Sequence, residues 1–281
     1  MSAVEEYINM TIFCCPKCGA AFQREHNRYR CEKGHAYDRA GSGYVNLLPP
    51  GGKQHGDSKE MLRARRAFLQ SGAYEPLQSA ICHVAKRALT VAVPTVLDAG
   101  CGEGYYTGAL CRALPEARVY GIDVSKDAVK MCDGLHMGAD FAAASVYALP
   151  VLPASCDLVI SVFSPFAGEE FARVLKDEGY LISVIPDARH LYALKSVLYD
   201  VPYENKVESY EAQGFDFLGA EKLSFTMELD TKEKILSLFA MTPYYHRTGA
   251  EGQRRVRELE KLSCEASFQV LLYRKKNLEN T

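Results

Sequence analysis

The chain has 281 residues, 48% hydrophobic and 24% charged, a balance that is typical of folded globular proteins and excludes a disordered or fibrous chain. Its net charge of −2 at pH 7 argues against a general nucleic-acid binder. The charge is uneven, however: residues 1–66 hold 11 Lys and Arg against 7 Asp and Glu, residues 67–246 hold 14 against 23, and residues 247–281 hold 8 against 5. Basic ends of this kind can bind phosphate, and solvated helix surfaces explain them equally well.

The sequence gives no sign of export or of membrane insertion. No apolar run is long enough to span a bilayer, and residues 1–13 lack the regions of a signal peptide. Ten cysteines in such a chain indicate reduced thiols and metal ligation instead of disulfides. We therefore expect a cytoplasmic protein with no membrane partner.

The first motif along the chain is a set of metal ligands with the spacing Cys-x₂-Cys-x₁₂-Cys-x₃-His. Three thiolates and one imidazole fill the tetrahedral shell of Zn²⁺ and leave no position for water, so we predict a structural zinc. Zinc contributes about 10–16 kcal/mol to the folding of such modules. The neighbouring Cys14 could replace the first ligand, and two unrelated thiol clusters are the alternative interpretation. The predicted ligands are Cys15, Cys18, Cys31 and His35.

Three segments are predicted from the composition of the chain. Residues 1–48 form the zinc module, residues 49–72 form a linker with a basic helix, and residues 73–281 form the second domain. A short strand is expected over residues 43–48, and the Pro-Pro-Gly-Gly run after it ends that strand. We interpret residues 51–56 as a mobile linker.

A basic helix is predicted to follow the linker. Asp57 or Ser58 can cap a helix over residues 60–69, and a second, amphipathic helix is expected over residues 76–89. Three arginines of the first helix lie next to the linker, and we interpret them as a phosphate-facing patch that binds the substrate. They are Arg63, Arg65 and Arg66.

From residue 94 onward, strand and helix patterns alternate. Strands are predicted over residues 95–98, 118–123, 140–144, 156–162 and 179–185, with helices over residues 105–114 and 169–176 and a third capped by Ser125. Repeated βα units predict an α/β fold with a parallel sheet covered on both faces. Late strands over residues 215–227 and 267–273 fit the seven-stranded, Rossmann-like methyltransferase sheet, in which we expect one antiparallel edge strand.

The turn after the first strand of this domain predicts a cofactor site. Gly100 and Gly102 let the backbone approach a ligand, and Gly104 lets the next helix pack tightly. Asp123, at the end of the second strand, can bind two ribose hydroxyls. Asp98, two residues before the first glycine, can face the positive methionine end of S-adenosylmethionine (SAM). Because SAM has no pyrophosphate for the helix N-terminus, it fits this turn better than NAD.

Taken together, the motifs resemble those of the bacterial 23S rRNA guanine-N1 methyltransferases, which act on hairpin 35 of the large-subunit RNA. The shared motifs are the zinc spacing, Gly-Tyr-Val-Asn-Leu-Leu, Arg-Arg-Ala-Phe-Leu, Asp-x-Gly-Cys-Gly-Glu-Gly-Tyr-Tyr-Thr, Asp-Val-Ser-Lys and Pro-x-x-Arg-His-Leu. The resemblance implies a SAM-dependent enzyme that recognises RNA with its zinc domain, works as a homodimer and affects macrolide-type drug binding near the exit tunnel. It also implies that Tyr74, Gly102, Glu103 and His190 contact SAM.

The acceptor is expected at the loop over residues 161–166, because this fold usually holds it after the fourth strand. The loop differs from the Asn-Pro-Pro-Tyr of enzymes that methylate exocyclic amines. Phe163 or Phe166 could stack on an extruded base, although both could equally belong to the core. Guanine N1 must lose a proton before it attacks, and no residue of the sequence stands out as the catalytic base.

Two other functions remain open at this point. A small-molecule C- or O-methyltransferase would use the same fold, because fold does not dictate the acceptor. A non-catalytic RNA- or protein-binding adaptor could also retain the SAM fold. The zinc module and the basic helix argue against the first alternative, and the complete glycine turn argues against the second.

Overall fold

The computed structural model describes residues 10–51, 57–133, 137–207 and 209–277. Most of the predicted mobile linker, residues 52–56, lies outside the described residues. Within the described part of the chain, no helix combines the length and the hydropathy needed to cross a membrane.

The N-terminal segment folds into an antiparallel sheet of four short strands in the order β1-β2-β3-β4. The predicted ligands Cys15 and Cys18 lie in the turn between the first and second strands. Cys31 and His35 lie at the turn between the third and fourth strands. Each pair is therefore carried by a tight turn that the sheet holds in place. The strands are β1 Met10–Cys14, β2 Ala21–Arg24, β3 Arg28–Cys31 and β4 Ala36–Asp38.

A second sheet of eight strands follows, in the order β11-β12-β10-β9-β6-β7-β8-β5. Seven of them make up the predicted α/β sheet, which is confirmed: six run in the same direction, five of them as directly paired parallel neighbours. The strands are β5 Val45–Asn46, β6 Thr95–Ala99, β7 Arg118–Asp123, β8 Asp140–Ala143, β9 Cys156–Val162, β10 Leu175–Pro186, β11 Phe215–Leu229 and β12 Leu262–Lys275.

The sheet differs from the expectation in two places. The prediction of an antiparallel edge strand is wrong. The antiparallel strand is β12, which lies between β10 and β11 and is antiparallel to both. Its side chains are buried along most of its length, whereas those of β11 are largely exposed, so β12 takes the interior position. In addition, β5 is only two residues long and extends the sheet by pairing in parallel with β8.

Nine helices are described, and two of them begin at caps that the sequence predicts. The Ser58 side chain accepts a hydrogen bond from the Met61 N–H at 3.2 Å, and Ser125 accepts one from the Ala128 N–H at 3.2 Å. The cap of the basic helix is thus Ser58, one of the two candidates. The helices are α1 Lys59–Gln70, α2 Glu75–Ala88, α3 Tyr105–Ala113, α4 Lys126–Asp133, α5 Gly168–Val174, α6 Tyr192–Leu198, α7 Lys232–Met241, α8 Tyr244–Arg247 and α9 Ala250–Glu258.

The zinc-bearing sheet packs directly against the large sheet through Phe13. This side chain is 0% exposed, and its ring lies edge-on to Tyr120 of β7, with the ring centroids 5.4 Å apart. On either side of it, the Cys14 N–H donates to the Pro150 carbonyl at 2.8 Å and the Leu152 N–H donates to the Ile12 carbonyl at 2.9 Å. The two sheets therefore share one hydrophobic cluster.

This packing predicts a large loss of stability for Phe13→Ala. Removing a fully buried Phe leaves a cavity and costs about 3–5 kcal/mol of unfolding free energy. Val201→Ala is the matched control, because Val201 is 84% exposed and such changes stay within about 0.5 kcal/mol. Urea unfolding checks the prediction, and equal midpoints for the two variants would contradict it.

Candidate functional site

The structure brings the four predicted metal ligands together. Their side-chain ligand atoms all lie within 4.8 Å of one another. The Cys18 and Cys31 sulfurs are 3.8 Å apart, and His35 Nδ1 lies 3.4 Å from the Cys15 sulfur and 3.5 Å from that of Cys31. A tetrahedral zinc with ordinary bond lengths separates two sulfurs by about 3.8 Å and a sulfur from a nitrogen by about 3.6 Å. The cluster therefore fits a structural zinc.

Local backbone features favour Cys15 over Cys14 as the ligand. Burial tends to raise the pKa of the Cys15 thiol, but hydrogen bonds from the backbone N–H groups of Lys17 and Cys18 outweigh it and lower the pKa to about 6. Burial raises the pKa of Cys14 to about 11. The thiolate is the form that binds a metal, so Cys15 is prepared for zinc and Cys14 is not.

This difference predicts opposite results for two neighbouring cysteine variants. Cys15→Ser removes one of four ligands and should lower bound zinc from one equivalent to a small fraction. Cys14→Ser should retain one equivalent, because its thiol lies outside the cluster. Metal analysis of the purified proteins by mass spectrometry measures both. Loss of zinc in Cys14→Ser with retention in Cys15→Ser would reverse the ligand assignment.

A cavity of about 630 Å³ lies at the carboxyl edge of the parallel strands. Its walls include the glycine turn after β6, the end of β7 and the segment after β9. Other walls come from α1, from the start of α3 and from the turn between α7 and α8. Ligands of open α/β sheets bind at this edge, so the cavity is the candidate cofactor site.

The glycine turn leaves room that side chains would fill. Gly100 has a φ of +92°, and a Cβ there would overlap the Ser164 side chain. Gly104 has a φ of +86°, and a Cβ there would lie 2.5 Å from Met137 Cε. Gly102 borders the cavity between them. Backbone conformation therefore favours glycine at both Gly100 and Gly104, and at Gly100 the Ser164 side chain also leaves no room for a Cβ.

Asp123 lines the cavity, and its carboxylate can accept further hydrogen bonds. One carboxylate oxygen accepts a hydrogen bond from the Gly102 N–H at 3.0 Å and the other accepts one from the Ser125 N–H at 2.8 Å. Each oxygen keeps a second lone pair, which matches the two hydroxyls of a ribose. Burial raises the pKa of Asp123 above its ordinary value. This side chain therefore marks the ribose end of the cavity.

Asp98 lies in a different place from the one expected. Its carboxylate is buried behind the glycine turn, where it accepts a hydrogen bond from the Thr107 hydroxyl at 2.5 Å. It is not among the described residues that line the cavity. Burial raises the pKa of Asp98 to about 7. Its contacts connect β6 to α3, so Asp98 positions the turn and does not face a ligand.

Tyr74, Glu103 and His190, which the resemblance predicts to contact SAM, border the cavity. The rings of Tyr74 and His190 lie with their centroids 6.5 Å apart. Burial, together with the nearby Lys195, lowers the pKa of His190 to about 3. The imidazole is therefore neutral at physiological pH. His190 Nδ1 accepts a hydrogen bond from the Ser267 N–H at 3.2 Å, so the ring carries its proton on Nε2.

Glu103 supplies a buried carboxylate. It is 4% exposed, and burial raises its pKa while the charge of Arg65 opposes that shift. A buried carboxylate needs a cation or hydrogen-bond donors. The ammonium group of the methionine part of SAM would meet this need, and the carboxylate of Asp123 would bind the ribose. The residues present thus fit SAM, which is the cofactor that the sequence favours over NAD.

The three arginines of the predicted patch lie in different environments in the structure. Arg65 pairs with Asp57 at 2.5 Å and borders the cavity, and Arg66 donates to the Met131 carbonyl at 2.9 Å. Arg63 is exposed on the surface of α1. Of the three, Arg63 is therefore the one placed to contact a phosphate, and Arg65 belongs to the wall of the cofactor site.

The two predicted stacking residues, Phe163 and Phe166, differ in their position relative to the cavity. Phe163 borders the cavity and is 46% exposed, with a positive φ of 55°. Phe166 is 44% exposed but is not among the described lining residues. Each ring packs on another phenylalanine, Phe166 on Phe171 with centroids 5.8 Å apart and Phe163 on Phe268 with centroids 5.6 Å apart, so the cavity lining is what distinguishes them. A non-glycine residue with positive φ is uncommon and often belongs to a functional site. Phe163 is therefore the better candidate.

Sequence reasoning missed three parts of the cavity wall: the Asp57–Arg65 ion pair, Tyr106, and the turn formed by residues 241–244. The sequence could have indicated Tyr106, because this residue follows the glycine turn at the start of α3. No signal existed for residues 241–244, which come to the site from far along the chain.

Two family descriptions match the chain. One, described as RlmA, N-terminal, covers residues 13–59, and the other, described as Methyltransferase domain, covers residues 96–179. The first match includes all four ligands of the zinc cluster, and the second includes the glycine turn and Asp123.

Three curated relatives are similar over most of the chain. A putative 23S rRNA (guanine-N(1)-)-methyltransferase of Micromonospora griseorubida is 32% identical, covering 92% of this chain and 96% of that protein. The 23S rRNA (guanine(748)-N(1))-methyltransferase of Streptomyces fradiae is 33% identical, covering 87% and 90%. The putative 23S rRNA (guanine-N(1)-)-methyltransferase YxjB of Bacillus subtilis is 29% identical, covering 94% and 98%.

Proposed function

Because the chain belongs to the family of 23S rRNA (guanine-N(1))-methyltransferases, we propose that it transfers the methyl group of SAM to N1 of a guanine in 23S rRNA. It is a SAM-dependent methyltransferase with an N-terminal zinc ribbon. One observation supports the proposal most strongly. The chain contains both a Cys₃His zinc ribbon and a sheet with the glycine turn of a SAM site, and the two pack together through Phe13.

The finer details of the function are part of the same proposal. We place the target guanine in hairpin 35 and assign the ribbon, with Arg63 beside it in sequence, to RNA contacts. The enzyme works in the cytoplasm as a homodimer, and its product methyl group affects macrolide-type drug binding near the exit tunnel. These details rest on the motifs that the chain shares with its family.

Binding and alignment account for most of the chemistry. SAM supplies a methyl group on a positively charged sulfur, which is already activated for transfer. Asp123 and the glycine turn would hold the adenosine part, and Phe163 would offer a face on which a flipped guanine stacks. Fixing the N1 atom in line with the methyl group supplies much of the rate, as in other reactions between two oriented groups.

The guanine N1 proton has no obvious acceptor among the described residues of the cavity. Its acidic members are Asp57, which pairs with Arg65, Glu103 at the methionine end and Asp123 at the ribose. His190 Nδ1 already accepts a hydrogen bond and Nε2 carries the proton of the neutral ring, so neither nitrogen is free to take up the guanine proton. We therefore assign the proton to solvent water, because Phe163 in the cavity wall is itself 46% exposed.

The direct test is methyl transfer from labelled SAM to unmodified 23S rRNA, with digestion to nucleosides and mapping of the modified position. We expect N1-methylguanosine within hairpin 35. N1-methylguanosine elsewhere in the RNA would support the proposed reaction and contradict its assignment to hairpin 35. Absence of label in the RNA, with SAM still bound, would overturn the proposal and favour a small-molecule acceptor or a non-catalytic adaptor.

Substitution of the two exposed phenylalanines predicts a difference in RNA use. Phe163→Ala removes the stacking surface, and base–aromatic stacking is worth about 1–3 kcal/mol, or roughly a 5–150-fold loss of kcat/KM for RNA. Phe166→Ala is the matched control, because its exposure is similar and its ring packs on Phe171. Affinity for S-adenosylhomocysteine should stay the same in both. A larger loss for Phe166→Ala would reverse the assignment.

A further inference from the structure

We propose that Tyr106 is a further cofactor-binding residue, whose hydroxyl donates a hydrogen bond to the carboxylate of the methionine part of SAM. The inference depends on the cofactor and not on the RNA. It adds Tyr106 to the residues that the family resemblance places on SAM.

The first observation is an unpaired hydroxyl in the wall of the cavity. Tyr106 is the second residue of α3, directly after the glycine turn, and it lines the cavity. Its hydroxyl oxygen is shielded from solvent and has no hydrogen-bond partner among the described residues. Buried polar groups in folded proteins nearly always have a partner, and an unpaired one is destabilising. The missing partner is therefore expected to come from the ligand.

The second observation is the position of this hydroxyl relative to the ribose site. Tyr106 lies three residues after Glu103 and lines the same cavity as Tyr74 and Glu103, and the ring of Tyr74 lies beside that of His190. Asp123 has different hydrogen-bond partners, the backbone N–H groups of Gly102 and Ser125. Because Asp123 marks the ribose end, the side chains around Tyr106 border the part of the cavity that is left for the methionine group.

The third observation is the chemical character of the groups in that part. Glu103 is a buried carboxylate that suits an ammonium group. Tyr106 and His190 provide hydrogen-bond donors, since burial keeps the phenol protonated and His190 carries its proton on Nε2. An amino-acid group bears one ammonium and one carboxylate, and these three side chains complement both charges. A hydrogen bond between a phenol and a carboxylate is also stronger than one between two neutral groups.

The test compares two ligands that differ in the amino-acid group. S-adenosylhomocysteine carries it, and 5′-deoxy-5′-methylthioadenosine has a methyl group in its place. Isothermal titration calorimetry with the full chain and no RNA measures both affinities. For Tyr106→Phe we expect S-adenosylhomocysteine to bind roughly 10- to 100-fold more weakly, the range for a lost hydrogen bond to a charged group. The affinity for methylthioadenosine should remain within about twofold of the wild-type value.

Tyr120→Phe is the matched control, because Tyr120 is also a buried tyrosine but lies on β7 outside the described lining of the cavity. It should bind both ligands as the wild type does. Urea unfolding of the ligand-free proteins adds a second readout: Tyr106→Phe should be at least as stable as the wild type, because it deletes an unpaired hydroxyl.

Two results would overturn the proposal. The first is an equal loss of affinity for both ligands in Tyr106→Phe, and the second is no loss of affinity for either ligand. None of the binding measurements involves RNA, so failure of this inference and failure of the rRNA assignment are distinguishable.

Discussion

The parallel arrangement of the central strands is the constraint on which the rest of the structure depends. Strands β6, β7, β9 and β10 all end at one edge of the sheet, so the segments after them meet there. The glycine turn, Asp123 and Phe163 belong to three of these segments. The closeness of Gly100 to the Ser164 side chain shows how tightly two of the segments pack, and the cofactor cavity lies between them.

The zinc ribbon uses that sheet as a support. Its own strands are short, and its core residue Phe13 is buried against Tyr120 of the large sheet. Two arginines of the ribbon segment, Arg24 and Arg39, also reach Asp140 at the start of β8, at 3.2 Å and 3.7 Å. The ribbon therefore has a fixed position relative to the catalytic sheet. A fixed position suits the proposed role of the ribbon in RNA contacts.

Much of the fold was predictable because its signals are local. The limits of β7 and β9 and the Ser125 cap follow from residues that are neighbours in sequence. The position of β12 inside the sheet was not predictable in this way. It depends on how the apolar faces of two distant strands compete for the interior, and a strand pattern alone contains no information on its partner.

The sequence by itself determined the zinc ligands and the cofactor turn, because metal coordination and a tight backbone turn each require particular residues at fixed short spacings. Only the tertiary structure decided the roles of residues whose partners are distant along the chain. Arg65 was expected on RNA and forms the cavity wall, and Asp98 was expected on the cofactor and supports the turn from behind. Tyr106 follows the glycine turn in sequence, but only the fold buries its hydroxyl without a hydrogen-bond partner among the described residues. Burial and partnership depend on contacts between separate segments, and these exist only after the chain has folded.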